Sequence, residues 1–496
     1  MYEEILSDKA LKFNELESKI FKFVCEIGCL LLKTTLEDRD KEIARSRDKR
    51  RYRHKGYKRD CIKTIMGEVE YKKAIYELDD GKTKKYVFLL NEEMDIHKVG
   101  KVSANLAEVI IDSACENSYR KSSKFITKTT NQSISHEGVR NVVLKVGEKI
   151  SDTEKQKARL YKEEKLVCGT KDIPILFEEA DGLWISLQGK DREKIIKKRK
   201  ESAKRSGKEY KVPKSVKSEL KLYVSYEGWL KDKRHTLVNK KYITGFIARK
   251  ELHKIRVAKL HEIYNFRNIK VKVMNGDGAK WIKKLVFRDQ FYQKDSFHIS
   301  QAINRNISDK SNREKLKELI KGKRYGEINE YLEDLKYECG GEEKQIKKLN
   351  YLQHYLKDGL ERYKDAVKDI PEAPDGMEYR GLGTAETQIF TVLSRRFSDR
   401  RMSFSKKGAT MLSKVVAFKL ENDNVLECVE TPIKIDNTIE NWIKEIENCV
   451  EKSKKDKKVK LKESSSIKIL SKPFEGSILT SGRKEIRSMC SIKCIY

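Results

Sequence analysis

Proline is scarce, with 6 residues in 496, so polyproline segments and Pro-rich linkers are excluded. Ten cysteines are scattered without a single CxxC pair, and no histidine pair stands at finger spacing. A zinc site is therefore not expected. That scatter in a chain this long points to reduced thiols and a cytoplasmic protein, not a disulfide framework. No apolar run approaches the ~18–20 residues of a membrane span. The opening MYEEILSDKALKF has no basic stretch followed by an apolar core, so neither membrane association nor a signal peptide is expected. Acidic residues are also in deficit, at 77 Asp and Glu against 109 Lys and Arg, a net charge of +32. A lysine-rich coding bias alone would lift the acidic residues in step. The imbalance is instead the electrostatic footprint of a nucleic-acid partner. No aromatic stacking motif of the RNA-binding kind accompanies it.

What is present is a long, polar chain, large enough for two to four domains. Phe13, Leu16, Ile20, Phe23, Ile27, Leu30 and Leu31 recur at three-and-four spacing. They predict an amphipathic helix whose apolar face is core or a self-association seam. The basic run 45–55 holds Arg50, Arg51, Arg53 and Lys55, and reads either as a solvated loop or as a set of phosphate contacts. Residues 61–76 alternate about Gly67 and predict a hairpin. Residues 103–150 are helical by pattern. A short helix over 119–128 precedes the polar break 129–134, and Ser135 is placed to cap the next helix, whose Val139, Val142, Val143 and Val146 share a face. That is the helix-turn-helix plan, with Ser135, His136, Arg140 and Asn141 toward the major groove. Any small helical hairpin shares the pattern.

Further on, 173–188 predicts two short strands about Asp181 and Gly182. Residues 190–221 read as a basic loop or extended excursion. Strands are expected at 220–226 and 242–247, a helix at 250–264, and a strand ending in MNGDG. Residues 306–370 are helical and highly charged, and two more helices fall at 384–399 and 405–419. Segment 451–466, EKSKKDKKVKLKESSS, reads as a mobile linker. Three carboxylates stand out: Asp181 before a glycine, Asp277 between two glycines, and Glu386 at a helix start after GLGTA. Three such groups drawn together would suit two Mg²⁺ or Mn²⁺ ions, which take hard oxygen ligands. Glycine-flanked aspartate is also ordinary turn chemistry.

The segments EEADGLWISLQ (178–188), NGDGAKWI (275–282), KDSFHISQAI (294–303) and GTAETQIFTVLSRRFSDRRMSFSKKGATML (383–412) occur in that order. Together they resemble the DDE transposases of bacterial insertion sequences, specifically the ISLre-type family, itself similar to the Mutator transposases. The resemblance implies an α/β fold with an RNase H-like mixed-sheet catalytic core and a helical insertion, preceded by a helical, helix-turn-helix DNA-binding region. The implied organisation is an amphipathic helix and basic hairpin (1–100), a helix-turn-helix region (101–150), the first part of the core (165–305), the insertion (306–375), the second part of the core with the Glu helix (376–420) and a tail (421–496).

By the same resemblance Asp181, Asp277 and Glu386 would be the catalytic, metal-binding triad. His298 would lie near the scissile phosphate or orient a water, with a capping and packing histidine as the alternative. Arg395, Arg396, Arg400 and Arg401 would line the DNA path. Trp281 is either a base-stacking ring or core. The implied function is metal-dependent cleavage and strand transfer on double-stranded DNA, joining terminal inverted repeats to target DNA, in a homo-oligomer that is cytoplasmic and nucleoid-associated. The rivals are an inactive or repurposed DNA-binding protein and an RNase H-like nuclease without strand transfer.

Overall fold

The computed structural model describes residues 12–79, 84–207, 209–398 and 402–422. All lie within one compact unit, Met1–Ile435. Arg400, Arg401, segment 451–466 and nearly all of the 421–496 tail fall outside the described residues. The architecture is mixed α/β, two principal sheets with many helices.

The chain opens with α1 (Phe13–Ser46), whose C-terminal part lies on the hairpin β1 (Tyr52–Thr64) and β2 (Gly67–Asp79). The expected turn at Gly67 is where the hairpin closes, with Thr64 opposite Gly67. Ile43, Ile62, Val69, Tyr71 and Leu90 form the small core beneath α1. The strand β3 (Lys84–Val87) and two short strands, Lys98–Val99 and Val102–Ser103, complete this five-stranded sheet.

Three helices follow: α2 (Ala104–Glu116), α3 (Tyr119–Thr129) and α4 (His136–Lys162). Ser135 caps α4 by accepting the Gly138 amide at 3.0 Å. The helix runs well beyond the expected end of the helical region at 150, because Ile150, Ser151 and Leu160 continue its buried face.

The second sheet has strand order β8-β7-β4-β5-β6: β4 (Ile175–Leu187), β5 (Lys217–Tyr226), β6 (Lys241–Gly245), β7 (Val271–Gly276) and β8 (Phe291–Lys294). β5 pairs antiparallel with both β4 and β6, whereas β7 and β8 run parallel to β4. A two-residue strand, β9 (Ser403–Phe404), pairs with the far end of β4. Alternation sends Ile175, Phe177 and Val273 toward α2, α4 and the last helix, and Ala180 and Met274 toward α6 (Arg249–Ile263). With both faces covered, each fully buried Leu, Ile or Phe contributes about 1.5–3 kcal/mol.

Two expectations are corrected here. Residues 173–188 form one continuous strand, not two short ones, and Asp181 sits in its middle, where ladder pairing to β5 runs unbroken from Phe177 to Ser186. The stretch expected as a loop after 190 begins with α5 (Gly189–Arg205), a helix with no buried residue that is held by good helix formers and not by packing.

Helices α7 (Ser296–Asn306), α8 (Lys310–Lys321), α9 (Tyr325–Glu338) and α10 (Glu343–Leu356) carry a separate core of Ile303, Leu316, Leu332 and Leu352 among others. Segment α11 (residues 385–397) is interrupted by a π-helical stretch, Ile389–Ser394, inside the single helix expected there. The final described helix is α12 (Lys406–Glu421).

The helix-turn-helix region is not set apart from the sheet. Helix α4 crosses α12 so closely that a Cβ on Gly147 would lie 2.6 Å from the Met411 carbonyl oxygen. Gly147→Ala gains about 1 kcal/mol of helix propensity and loses about 1–3 kcal/mol to overpacking against backbone. Urea unfolding is expected to show a net loss. Gly28→Ala meets only the flexible Met66 thioether and is expected to be neutral or stabilising.

Candidate active site

Parallel pairing of β7 with β4 sets Asn275 beside Glu179 and Gly276 beside Ala180. Pairing of β8 with β7 sets Gln293 beside Asn275 and Lys294 beside Gly276. Two polar rows result. Gln293, Asn275 and Glu179 form the inner row, inside the strands. Asp295, Asp277 and Asp181 continue each strand two residues on, toward the same face.

Asp277 lies just past the end of β7. Its Oδ1 accepts the Ala279 amide at 2.7 Å, and its carbonyl accepts the Tyr355 hydroxyl from α10 at 2.7 Å. Gly278 takes φ +90°, and a Cβ there would stand 2.9 Å from the Tyr355 ring. Glycine is thus required both for the turn and for the approach of the insertion. Burial first, and then the charges of Asp181 and Glu219, push the Asp277 carboxyl above its usual range. Asp181 accepts its neighbour's amide, from Gly182, at 2.6 Å.

Helix α7 begins at the DSFH segment. Asp295 caps it, accepting the Phe297 amide at 2.8 Å, and the first turn turns His298 back toward the strands. His298 Nε2 stands 3.6 Å from Asp181 Oδ2. That contact, backed by the charges of Asp181, Asp295 and Asp277, holds the imidazole above its ordinary pKa against the opposing effect of burial.

Glu386, in the first turn of α11, is exposed. Among the described residues no three His, Cys, Asp or Glu side chains converge closely enough to hold a metal. The structure sets His298 against Asp181, with Asp277 beside them one residue past the Gly276–Ala180 pair, and does not gather either aspartate with the exposed Glu386 and a further ligand into one metal-binding group. Two neighbouring carboxylates whose repulsion raises one of them fit a hard cation. Mg²⁺ takes one or two carboxylates and keeps its remaining waters.

Trp281 packs at the edge of the core beneath the corner. Its Nε1 donates to Glu219 at 3.0 Å, and Lys221 Nζ lies 5.0 Å above its ring. No local pattern in the sequence points to Glu219, which comes to the site on β5, the strand paired with β4. A second missed set is the buried pair Glu178 and Glu179, whose only signal was two adjacent charges inside the apolar strand ILFEEAD. Glu178 faces α6 in a bidentate ion pair with Arg256, both contacts 2.6 Å.

Arg50, Arg51, Arg53 and Lys55 are exposed where β1 begins, and Lys55 pairs with Glu77 at 3.1 Å. Ser135 and Asn141 are exposed on the first turns of α4, and Arg140 pairs with Glu137. Arg395 is exposed beside Glu116. Arg396 is the exception. It is buried, donates from Nε to the Ala114 carbonyl at 2.9 Å, and so braces α2 instead of facing solvent.

A family model described as an uncharacterised protein family, UPF0236, matches residues 6–431. The chain belongs to this family. A UPF0236 protein of Caldanaerobacter subterraneus subsp. tengcongensis is 24% identical over 86% of this chain and 82% of its own length. A second UPF0236 protein, named for the vanSb 3′ region of Streptococcus gallolyticus, is 22% identical over 84% of each chain. Among solved structures, the Drosophila P element transposase strand transfer complex is similar at 10% identity, covering 70% of this chain and 85% of that one, with a TM-score of 0.20. A TM-score this low assigns no fold. No described helix of this UPF0236 chain is long and apolar enough to cross a membrane.

Asp277 supplies a pH-dependent test. Its folded pKa is raised, so the folded state holds the proton more tightly. Stability then falls as pH rises from the unfolded value through the folded one, and a constant cost persists above. In metal-free buffer at pH 7, Asp277→Asn is expected to raise the melting temperature by roughly 1–3 °C, because the Asn oxygen still accepts the Ala279 amide. The gain should shrink toward pH 4. Differential scanning calorimetry at both pH values checks this, and a lower melting temperature at pH 7 would contradict it.

Proposed function

We propose that this protein is a DDE transposase of a bacterial insertion sequence. In this reading it binds the terminal inverted repeats of its element, cleaves the DNA there and transfers the freed strand to target DNA. The observation that carries the reading is the position of Asp181 and Asp277, each one residue beyond the paired Ala180 and Gly276 of adjacent parallel strands, with His298 3.6 Å from Asp181. The strand order, three antiparallel strands followed by two parallel to the first, supports an RNase H-like core. One relative's name enumerates eleven loci in a single genome, which is how a dispersed, self-copying element would be recorded.

Two divalent cations, when bound, would activate the attacking oxygen and stabilise the leaving one. Asp181 and Asp277 would hold them, with Glu386 as the third ligand that the resemblance implies. The chain's own groups do the remainder. Asp181 orients His298, whose Nε2 would be the group placed to give a proton to a phosphate oxygen or a departing alkoxide. Tyr355 and Ala279 fix the Asp277 corner from two sides, so the carboxylate is held in place before any ligand arrives.

Exposed Arg50, Arg51 and Arg53, the basic α5, and Ser135 and Asn141 on α4 supply DNA contacts, phosphate-directed in the first two cases. A second copy is expected for synapsis. Phe13, Leu16, Ile20, Phe23, Ile27 and Leu30 fall on alternating three- and four-residue steps, a coiled-coil seam, and all but the half-buried Leu16 and Phe23 are exposed. In this reading the protein would act in the cytoplasm, at the nucleoid.

The exposed position of Glu386 favours a second reading, a transposase-derived protein that binds element ends without cutting them. Labelled DNA from the flanks of its gene, incubated with Mg²⁺ or Mn²⁺, separates the two. Nicks at the element ends and joined products, both lost in Asp277→Ala, are expected. Tight end binding without cleavage would establish the second reading, and cleavage without joining would leave a nuclease. For the seam, light scattering of the purified chain is expected to give a dimer that Ile20→Glu with Ile27→Glu converts to a monomer. A monomeric wild type would overturn that assignment.

A further inference from the structure

Glu179 is fully buried, and among the described residues its carboxylate is bonded by neutral donors, with no Lys, Arg or His side chain in contact. Its Oε1 accepts from the Tyr226 hydroxyl at 2.6 Å, the Thr384 hydroxyl at 2.6 Å and the Thr384 amide at 3.1 Å. Its Oε2 accepts from Asn275 Nδ2 at 2.8 Å and the Ala385 amide at 3.1 Å. All five partners are donors. They come from β5, from β7 and from the entry to α11. Asn275 Nδ2 also reaches Asp295 Oδ2 at 3.2 Å, the cap of the helix that carries His298. Apart from Tyr226 on β5, these anchors sit one to three residues from a proposed site residue. Glu179 is two before Asp181, Asn275 two before Asp277, Asp295 three before His298, and Ala385 one before Glu386.

We propose that Glu179 is a positioning residue that clamps the first turn of α11, and with it Glu386, to the two strands bearing Asp181 and Asp277. The assignment of a role to Glu386 rests on the transposase reading, but the clamp does not. A carboxylate is suited to the task. The amides of Thr384 and Ala385 lie at the entry of α11, where backbone donors lack intrahelical partners, and the partial positive charge of a helix N-terminus favours an anion. It also presents only acceptors to five donors. An isosteric amide would turn an NH₂ toward one group of donors, leaving buried polar groups opposed.

The test is Glu179→Gln, with Glu178→Gln as the matched control on the opposite face of the same strand. Hydrogen–deuterium exchange read over residues 384–390 of the full chain is expected to accelerate about tenfold or more in Glu179→Gln. In Glu178→Gln those amides keep their wild-type protection while the β4–α6 contacts loosen. In the joining assay, Glu179→Gln is expected to shift the half-saturating Mn²⁺ concentration upward, as is expected of Glu386→Gln, with affinity for element-end DNA unchanged. Glu178→Gln would lower only the folded fraction. If 384–390 exchanges at the wild-type rate in Glu179→Gln, or changes equally in the two variants, the clamp is overturned. If the wild type joins no DNA yet only Glu179→Gln frees 384–390, the clamp stands and the transposase reading falls.

Discussion

The parallel pairing of β7 with β4 is the constraint on which the rest depends. With Gly276 opposite Ala180, the next residue on each strand is an aspartate, and the two carboxylates become neighbours although 96 positions separate them in the chain. A slip of one residue would send one of them to the other face of the sheet. The register is held because the rows beneath are also specified. Val273 and Phe177 enter the large core on one side, Met274 and Ala180 enter the smaller core under α6 on the other, and Asn275 donates to Glu179 between them.

The charged groups at this end of the sheet fall into two kinds. Glu178 and Glu179 are buried and fully engaged, one by an arginine and the other by five neutral donors. Such groups fix geometry, since each would be costly to leave unpaired. Asp181 and Asp277 have few donors, and burial and mutual repulsion raise Asp277. Conflict concentrated at one place while the surroundings are satisfied is what the proposed cation site at Asp181 and Asp277 would relieve. The helical insertion takes part in this arrangement. Its own core makes α10 rigid enough for Tyr355 to pin the Asp277 corner.

Much of this was legible in the sequence. The β1–β2 hairpin about Gly67, the Ser135 cap and the two aspartates on separate strands are legible from local pattern, because turns, caps and alternation are set by residues a few positions apart, whereas the DSFH segment is singled out only by the family resemblance. Asp181 was placed at a strand end because Gly182 reads as a turn. In the fold that glycine makes room for the Glu219 side chain, a reason visible only across the sheet. Arg396 was read as a DNA contact because it lies in a basic run, and it is buried by a helix almost three hundred residues earlier in the chain. The Glu179 anchor was illegible for the same reason. Its partners lie 47, 96 and 205 residues away, and no local pattern encodes them.

The central claim is that Asp181 and Asp277 form a divalent-cation site. The most direct measurement is a Mn²⁺ titration followed by electron paramagnetic resonance of the free ion, for the wild type and for Asp181→Asn with Asp277→Asn. The account predicts that the wild type removes Mn²⁺ from the free pool and that the double variant, folded and of equal or higher stability, does not. Equal uptake by both proteins would contradict it.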